Sequence, residues 1–217
     1  MATLIDLILQ FGSLAGLFSL IYVVIKDYYR WKKSPKLKIA CLNKTQDIRV
    51  FNITGLPSFP IRKFVNMQIR NKKRNITARG CIATIKFIKK PSNVTHLERE
   101  YTLHWADIPY SGRTTGSEPV DIISDWRLDA VFTCQNQTLP GCWIAIPNAL
   151  LNPNLHNQTY LPPGEYKVRI DILCDNGKGD FGIYIITSPD SPINWQNLDC
   201  NEDLSLRKKL KLLIEKN

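Results

Sequence analysis

The sequence has no Cys-x-x-Cys pair, and its three histidines, His96, His104 and His156, stand at no metal-ligating spacing. A zinc centre therefore has no support. There is no Gly-x-Ser-x-Gly elbow, the local mark of one hydrolase class. No helix-turn-helix or RNA-binding signature accompanies the net charge of +10 and the pI of 9.4, and the basic residues are not interleaved with exposed aromatics. Specific nucleic-acid binding is not expected. Internal repeats and low-complexity linkers are absent, and beyond residue 35 no long helical period occurs before the C-terminal tail. The 217 residues, 44% hydrophobic and 22% charged, suit one domain with an accessory segment.

What is present begins with an apolar run. Over residues 4–25, LIDLILQFGSLAGLFSLIYVVI, the only charged side chain is Asp6 and there is no proline. At about 1.5 Å per residue a helix of this length reaches roughly 33 Å, enough for a hydrocarbon core of about 30 Å. A cleaved signal peptide wants a basic start and small residues at its end, whereas this run starts MATLID and ends VVIKDYY. Tyr22, Tyr28, Tyr29 and Trp31 follow as an aromatic belt with Lys26, Arg30, Lys32 and Lys33, the pattern of a headgroup-level contact. Lys36 and Lys38 extend the basic flank, while only the terminal amine precedes the run. The positive-inside tendency then predicts a single span with a cytoplasmic body, its basic flank attracted to anionic lipid.

Two features argue for the other side. Six Asn-x-Thr triplets, at Asn43, Asn52, Asn75, Asn93, Asn136 and Asn157, exceed the roughly two that chance composition would give as glycosylation acceptors. Six cysteines, Cys41, Cys81, Cys134, Cys142, Cys174 and Cys200, could form three bridges in fifteen connectivities. Asn and Thr are also turn residues, and cysteine is a common buried apolar side chain. The lopsided charge count carries more weight, and the body is expected in the cytoplasm.

After Ser34-Pro35 the pattern alternates with the period of half-buried strands. Val65, Met67 and Ile69 share one face; so do Cys81, Ala83, Ile85 and Phe87; so do Leu128, Ala130, Phe132 and Cys134; and so do Tyr166, Val168, Ile170, Ile172 and Cys174. His104, between Leu103 and Trp105, falls on the solvent side of its strand. Shorter segments complete eight or nine strands joined by turns such as residues 71–75 and Asp175-Asn176-Gly177, which predicts an antiparallel sandwich. Residues 177–182 spell Gly-x-Gly-x-x-Gly, but a strand pattern follows where a dinucleotide site needs a helix, so they form a hairpin. Asp171, Asp175 and Asp180 cluster there without calcium-loop spacing. Residues 142–160 read as a partly ordered insertion. Residues 105–119, with Tyr110 and Arg113, form the best candidate binding loop. Leu206, Leu210 and Leu213 among basic residues predict an amphipathic C-terminal helix.

The expected organisation is an anchor over 1–35, a β-sandwich over 36–190 and a helical tail over 191–217. With KSPKLKI, RNKKRNITARGCIATI, LHWADIP and LPPGEYKVRIDILCDNGKGD, the chain resembles uncharacterised, mainly archaeal, single-pass membrane proteins. That resemblance implies one N-terminal span followed by an immunoglobulin-like sandwich, and implies no catalytic residue, metal or cofactor. Three functions are weighed. The first is a non-catalytic membrane-tethered interaction module or accessory subunit with a protein partner at the bilayer. The second is a glycosylated, disulfide-bonded surface structural protein, and the third a tethered hydrolase, which no constellation supports.

Overall fold

The computed structural model of the protein describes residues 4–41, 47–49, 62–92, 94–95, 97–106, 108, 118–135, 137–146, 158–177 and 179–205. The chain falls into two compact units, Met1–Ser34 and Pro35–Asn217.

The first unit is one helix, α1 (Leu4–Lys33), of 30 residues. Every side chain described in it, Gly16, residues 18–29, Lys32 and Lys33, is exposed. Successive helical residues turn by about 100°, so Phe18, Leu20, Ile21, Val23, Val24 and Ile25 together expose apolar surface on all sides. Among the described residues no helix is long and apolar enough to cross a membrane. The side chains of residues 4–15, half of the apolar run, lie outside that description.

The second unit is mainly β. Its strands are β1 (Leu37–Cys41), β2 (Asp47–Arg49), β3 (Arg62–Asn71), β4 (Ala78–Lys89), β5 (Tyr101–Thr102), β6 (His104–Trp105) and β7 (Val120–Ile122). They continue with β8 (Asp125–Cys134), β9 (Cys142–Ile144), β10 (Tyr160–Leu161), β11 (Gly164–Leu173), β12 (Asp180–Ser188) and β13 (Asp199–Glu202). A seven-stranded sheet runs β1-β3-β8-β9-β10, with β2 on β3 and β6 on β8; a six-stranded sheet runs β13-β12-β11-β4-β5, with β7 on β4. Every pairing is antiparallel.

Alternation builds the core between the sheets. Leu37, Ile39, Val65, Met67, Ile69, Leu128 and Trp105 from one sheet meet Ala83, Ile85, Tyr166, Val168, Ile170 and Ile172 from the other. Gly182 lies opposite Ile170. A Cβ there would come within 2.3 Å of the Tyr184 ring, so the missing side chain makes room for that ring in the core.

One expected face is corrected. Val65 pairs with Val131 but Asn66 pairs with Asp129, which leaves Ala130 as a bulge in β8. The extra residue reverses the alternation. Leu128 and Val131 therefore join the main core, whereas Phe132 and Cys134 join Phe64, Ala145 and the half-buried Trp143 in a second cluster on the outer face. His104 is corrected too: it is 1% exposed, opposite Asp129 rather than toward solvent. Residues 142–160 are only in part an insertion, since β9 and β10 pair within them and 147–157 lie outside the described residues. The sandwich also extends past residue 190, because β13 pairs with β12. The predicted C-terminal helix lies beyond Ser205, outside the described residues.

Candidate lipid-facing surface

Antiparallel order gathers one set of strand termini at the end of the body where Pro35 and Lys36 lead into β1. These are the start of β1, the end of β3, the starts of β4 and β8, the end of β11 and the start of β12. Three tight connections are tied together there. The Lys72 N–H donates to the Lys36 carbonyl at 2.8 Å, and the Asn71 N–H to Ser124 at 2.8 Å. Asn176 links two hairpins: its side chain accepts from the Arg79 N–H at 2.9 Å and donates to the Thr77 carbonyl at 2.8 Å.

Asn71 organises the β3–β4 turn. It is 1% exposed; its amide donates to Ile76 at 2.6 Å and Ile122 at 3.1 Å, while its oxygen accepts from the Lys73 N–H at 3.1 Å. Asparagine in this role folds the chain on itself and satisfies turn groups that the ladders leave open. Gly80, at φ +59°, turns the start of β4 where a Cβ would strike the Asp175 carboxylate at 1.9 Å.

The result is a basic surface. Lys36, Lys38, Arg70, Lys72, Lys73, Arg74 and Arg79 lie at this end, all exposed except the half-buried Lys73. Their local counter-charges are Asp121, Asp125, Asp175 and Asp180, and most of these are occupied. Asp125 meets Arg70 at 3.4 Å, Asp121 accepts from the Gly80 N–H at 3.0 Å, and Asp180 accepts from the Ile39 N–H at 3.1 Å. Lys72, Arg74 and Arg79 have no carboxylate partner among the described residues. Among the described residues the far end carries Arg49, the buried Arg62 and Lys63, and Lys89, Lys90 and Arg99, against Glu98, Glu100, Glu165, Asp190 and Asp199, with Lys90 3.8 Å from Glu98.

The expected site residues are distributed as follows. Lys26, Tyr28, Tyr29, Lys32 and Lys33 are exposed on α1, with Tyr28 and Tyr29 edge to face at 6.0 Å and Lys26 5.9 Å above the Tyr22 ring. The side chains of Arg30 and Trp31 lie outside the described residues, as do Tyr110 and Arg113 and the acceptors Asn43, Asn52, Asn93, Asn136 and Asn157. Asn75 is exposed in the β3–β4 turn. Asp171 is held by Arg169 through contacts of 2.6–2.9 Å, and among the described residues no group of acidic, cysteine or histidine side chains could hold a metal. Gly177 and Gly179 lie between β11 and β12 and Gly182 lies within β12, all in one hairpin. Cys81, Cys134, Cys142 and Cys174 are free thiols.

A second constellation escaped the sequence. Asn66, Asp129 and His104 stand side by side across β3, β8 and β6 on the outer face. The Asn66 amide donates to Asp129 Oδ1 at 2.9 Å, and His104 Nδ1 lies 3.5 Å from Asp129 Oδ2. All three are at most 2% exposed, out of a substrate's reach, so they act as buried polar partners. Next to them an aromatic row crosses the same face: Phe64–Phe132 at 5.5 Å, Phe132–Trp143 at 5.9 Å and Trp143–Tyr160 at 5.6 Å. Only register and the Ala130 bulge reveal either row.

No family model, curated protein or solved structure matches the chain. The likeness to archaeal single-pass proteins therefore rests on the quoted motifs alone.

Proposed function

We propose that the protein is a non-catalytic, single-pass, membrane-tethered interaction module. Its immunoglobulin-like body turns the basic end toward anionic lipid on the cytoplasmic side and leaves the far end to a protein partner. One observation carries the reading: the end of the body that continues into the apolar helix is also the end with the unpaired cations. A helix apolar all round needs a nonaqueous environment, and cations near an anionic leaflet contribute about 1 kcal/mol each. An immunoglobulin-like architecture is supported by Tyr166, whose hydroxyl donates to the Pro162 carbonyl four residues upstream at 2.8 Å, like the tyrosine corner of such sandwiches. At the far end the half-buried Trp143 and Tyr160 offer the aromatic surface that protein interfaces favour.

The test is labelling of cells expressing an Arg74→Cys variant with a membrane-impermeant maleimide. Reaction only after permeabilisation, together with retention in the membrane pellet at alkaline pH, is the expected result. Labelling of intact cells, or release of the protein from the pellet, contradicts it. Asn75, exposed within Asn-Ile-Thr, favours the second reading of a glycosylated surface protein. A loss of mass on deglycosylation would select that reading.

A further inference from the structure

We propose that Cys81 and Cys174 form a cross-strand dithiol that closes to a disulfide by exchange with a small disulfide such as oxidised glutathione. The inference stands apart from the proposed function, since it rests on register alone.

The β4–β11 ladder runs through Ile172 opposite Ala83 and ends at Leu173 opposite Ile82. One further step sets Cys174 opposite Cys81. The strands stay together beyond that step, because the Asp175 N–H donates to the Arg79 carbonyl at 2.9 Å. Alternation puts Cys81 on the face of Ala83 and Cys174 on that of Ile172, and both sulfurs belong to the main core, Cys81 within it and Cys174 packed against it. Directly opposed residues of an antiparallel pair hold their Cβ atoms about 4.5–5.5 Å apart. A disulfide wants about 3.5–4.5 Å, a gap that a small rotation of the strands closes.

Access sets the order of events. Cys174 is half-buried and Cys81 fully buried, so the reagent meets Cys174 first. The Cys174 thiolate attacks one reagent sulfur, the reagent S–S bond breaks, and one reagent thiolate leaves. The Cys81 sulfur then attacks Cys174 within the mixed disulfide, the protein S–S bond forms, and the second reagent thiolate departs. The two protons lost by the protein thiols end on the released reagent thiols; the protein is oxidised by two electrons and the reagent reduced by two. Burial, with the charges of Cys174, Asp121 and Asp175 adding to it, pushes the Cys81 thiol up to about 12, which suits it to the second, intramolecular step rather than to meeting reagent.

The full chain in lipid nanodiscs is incubated with oxidised glutathione at mildly alkaline pH, and a non-reducing peptide map is recorded. The expected product has lost two thiols per chain and links the peptides of Cys81 and Cys174. In Cys81→Ala, Cys174 should stop at the glutathione adduct; in Cys174→Ser, at a half-buried position that tolerates the change, Cys81 should stay a free thiol. A persistent adduct on Cys174 in the unaltered chain, a link involving another cysteine, or oxidation of Cys81 in Cys174→Ser would each overturn the assignment.

Discussion

The two ends of the sandwich are built from the same strands yet differ in charge. Among the described residues, seven cations stand against four carboxylates at the end that leads from Pro35, three of the carboxylates already engaged; at the other end six cations, Arg62 and Lys63 of them buried, stand against five carboxylates. Fold stability does not require this difference, because exposed charges contribute little to it. It concentrates attraction for an anionic surface on the one end that the polypeptide reaches from α1.

The largest test of that contrast reverses charge at the basic end. Lys72→Glu, Lys73→Glu and Arg74→Glu combined should weaken binding of residues 35–217 to phosphatidylserine vesicles by about 3 kcal/mol, on the order of 100-fold, and flatten its salt dependence. Co-sedimentation across a salt series measures this. Next in size, Asn71→Ala removes the side chain that ties the β3–β4 turn and should lower unfolding stability by about 1–3 kcal/mol in urea titration. An unchanged midpoint would mean that the turn is held by its backbone alone.

Alkaline pH treats the two ends alike. Burial pushes the thiols of Cys81 at the basic end and Cys142 at the far end up to about 12, and the Tyr166 hydroxyl upward as well. These groups remain protonated in the fold when the unfolded chain has already released their protons. Stability should therefore be flat below pH 9 and fall above it by up to about 1.4 kcal/mol per pH unit for each cysteine, with Tyr166 joining above pH 10. Stability that rises from pH 9 to 11 would contradict the burial of these groups. The smallest effect is expected from Lys89→Glu with Lys90→Glu at the far end, where vesicle affinity should stay within about 0.5 kcal/mol of the parent.

The sequence and the fold agree where one face of a strand is buried and nothing interrupts the period. Val65, Met67 and Ile69, and Tyr166 through Ile172, could be assigned from alternation alone. In β8 the same argument assigned Phe132 and Cys134 to the wrong face, because one inserted residue, Ala130, is invisible to a period count and shifts everything after it. His104 was misjudged for a related reason. Burial of its face depends on Asn66 and Asp129 across the sheet, and two polar neighbours make a buried face read as a wet one. β13, with Asp199, Asn201 and Glu202, lacks strand-forming composition and owes its conformation to pairing with β12. The turn residues 71–75 were legible as a turn and as basic. Their position beside Lys36 depends on hydrogen bonds between distant segments.

The central claim is best tested by lipid-embedded spin labels acting on fluorophores at the two ends of the body. In nanodiscs containing anionic lipid, a probe at Arg74→Cys should be strongly quenched and a probe at Leu139→Cys, exposed at the far end, should not. Equal quenching at both sites, or stronger quenching at Leu139→Cys, would contradict the account.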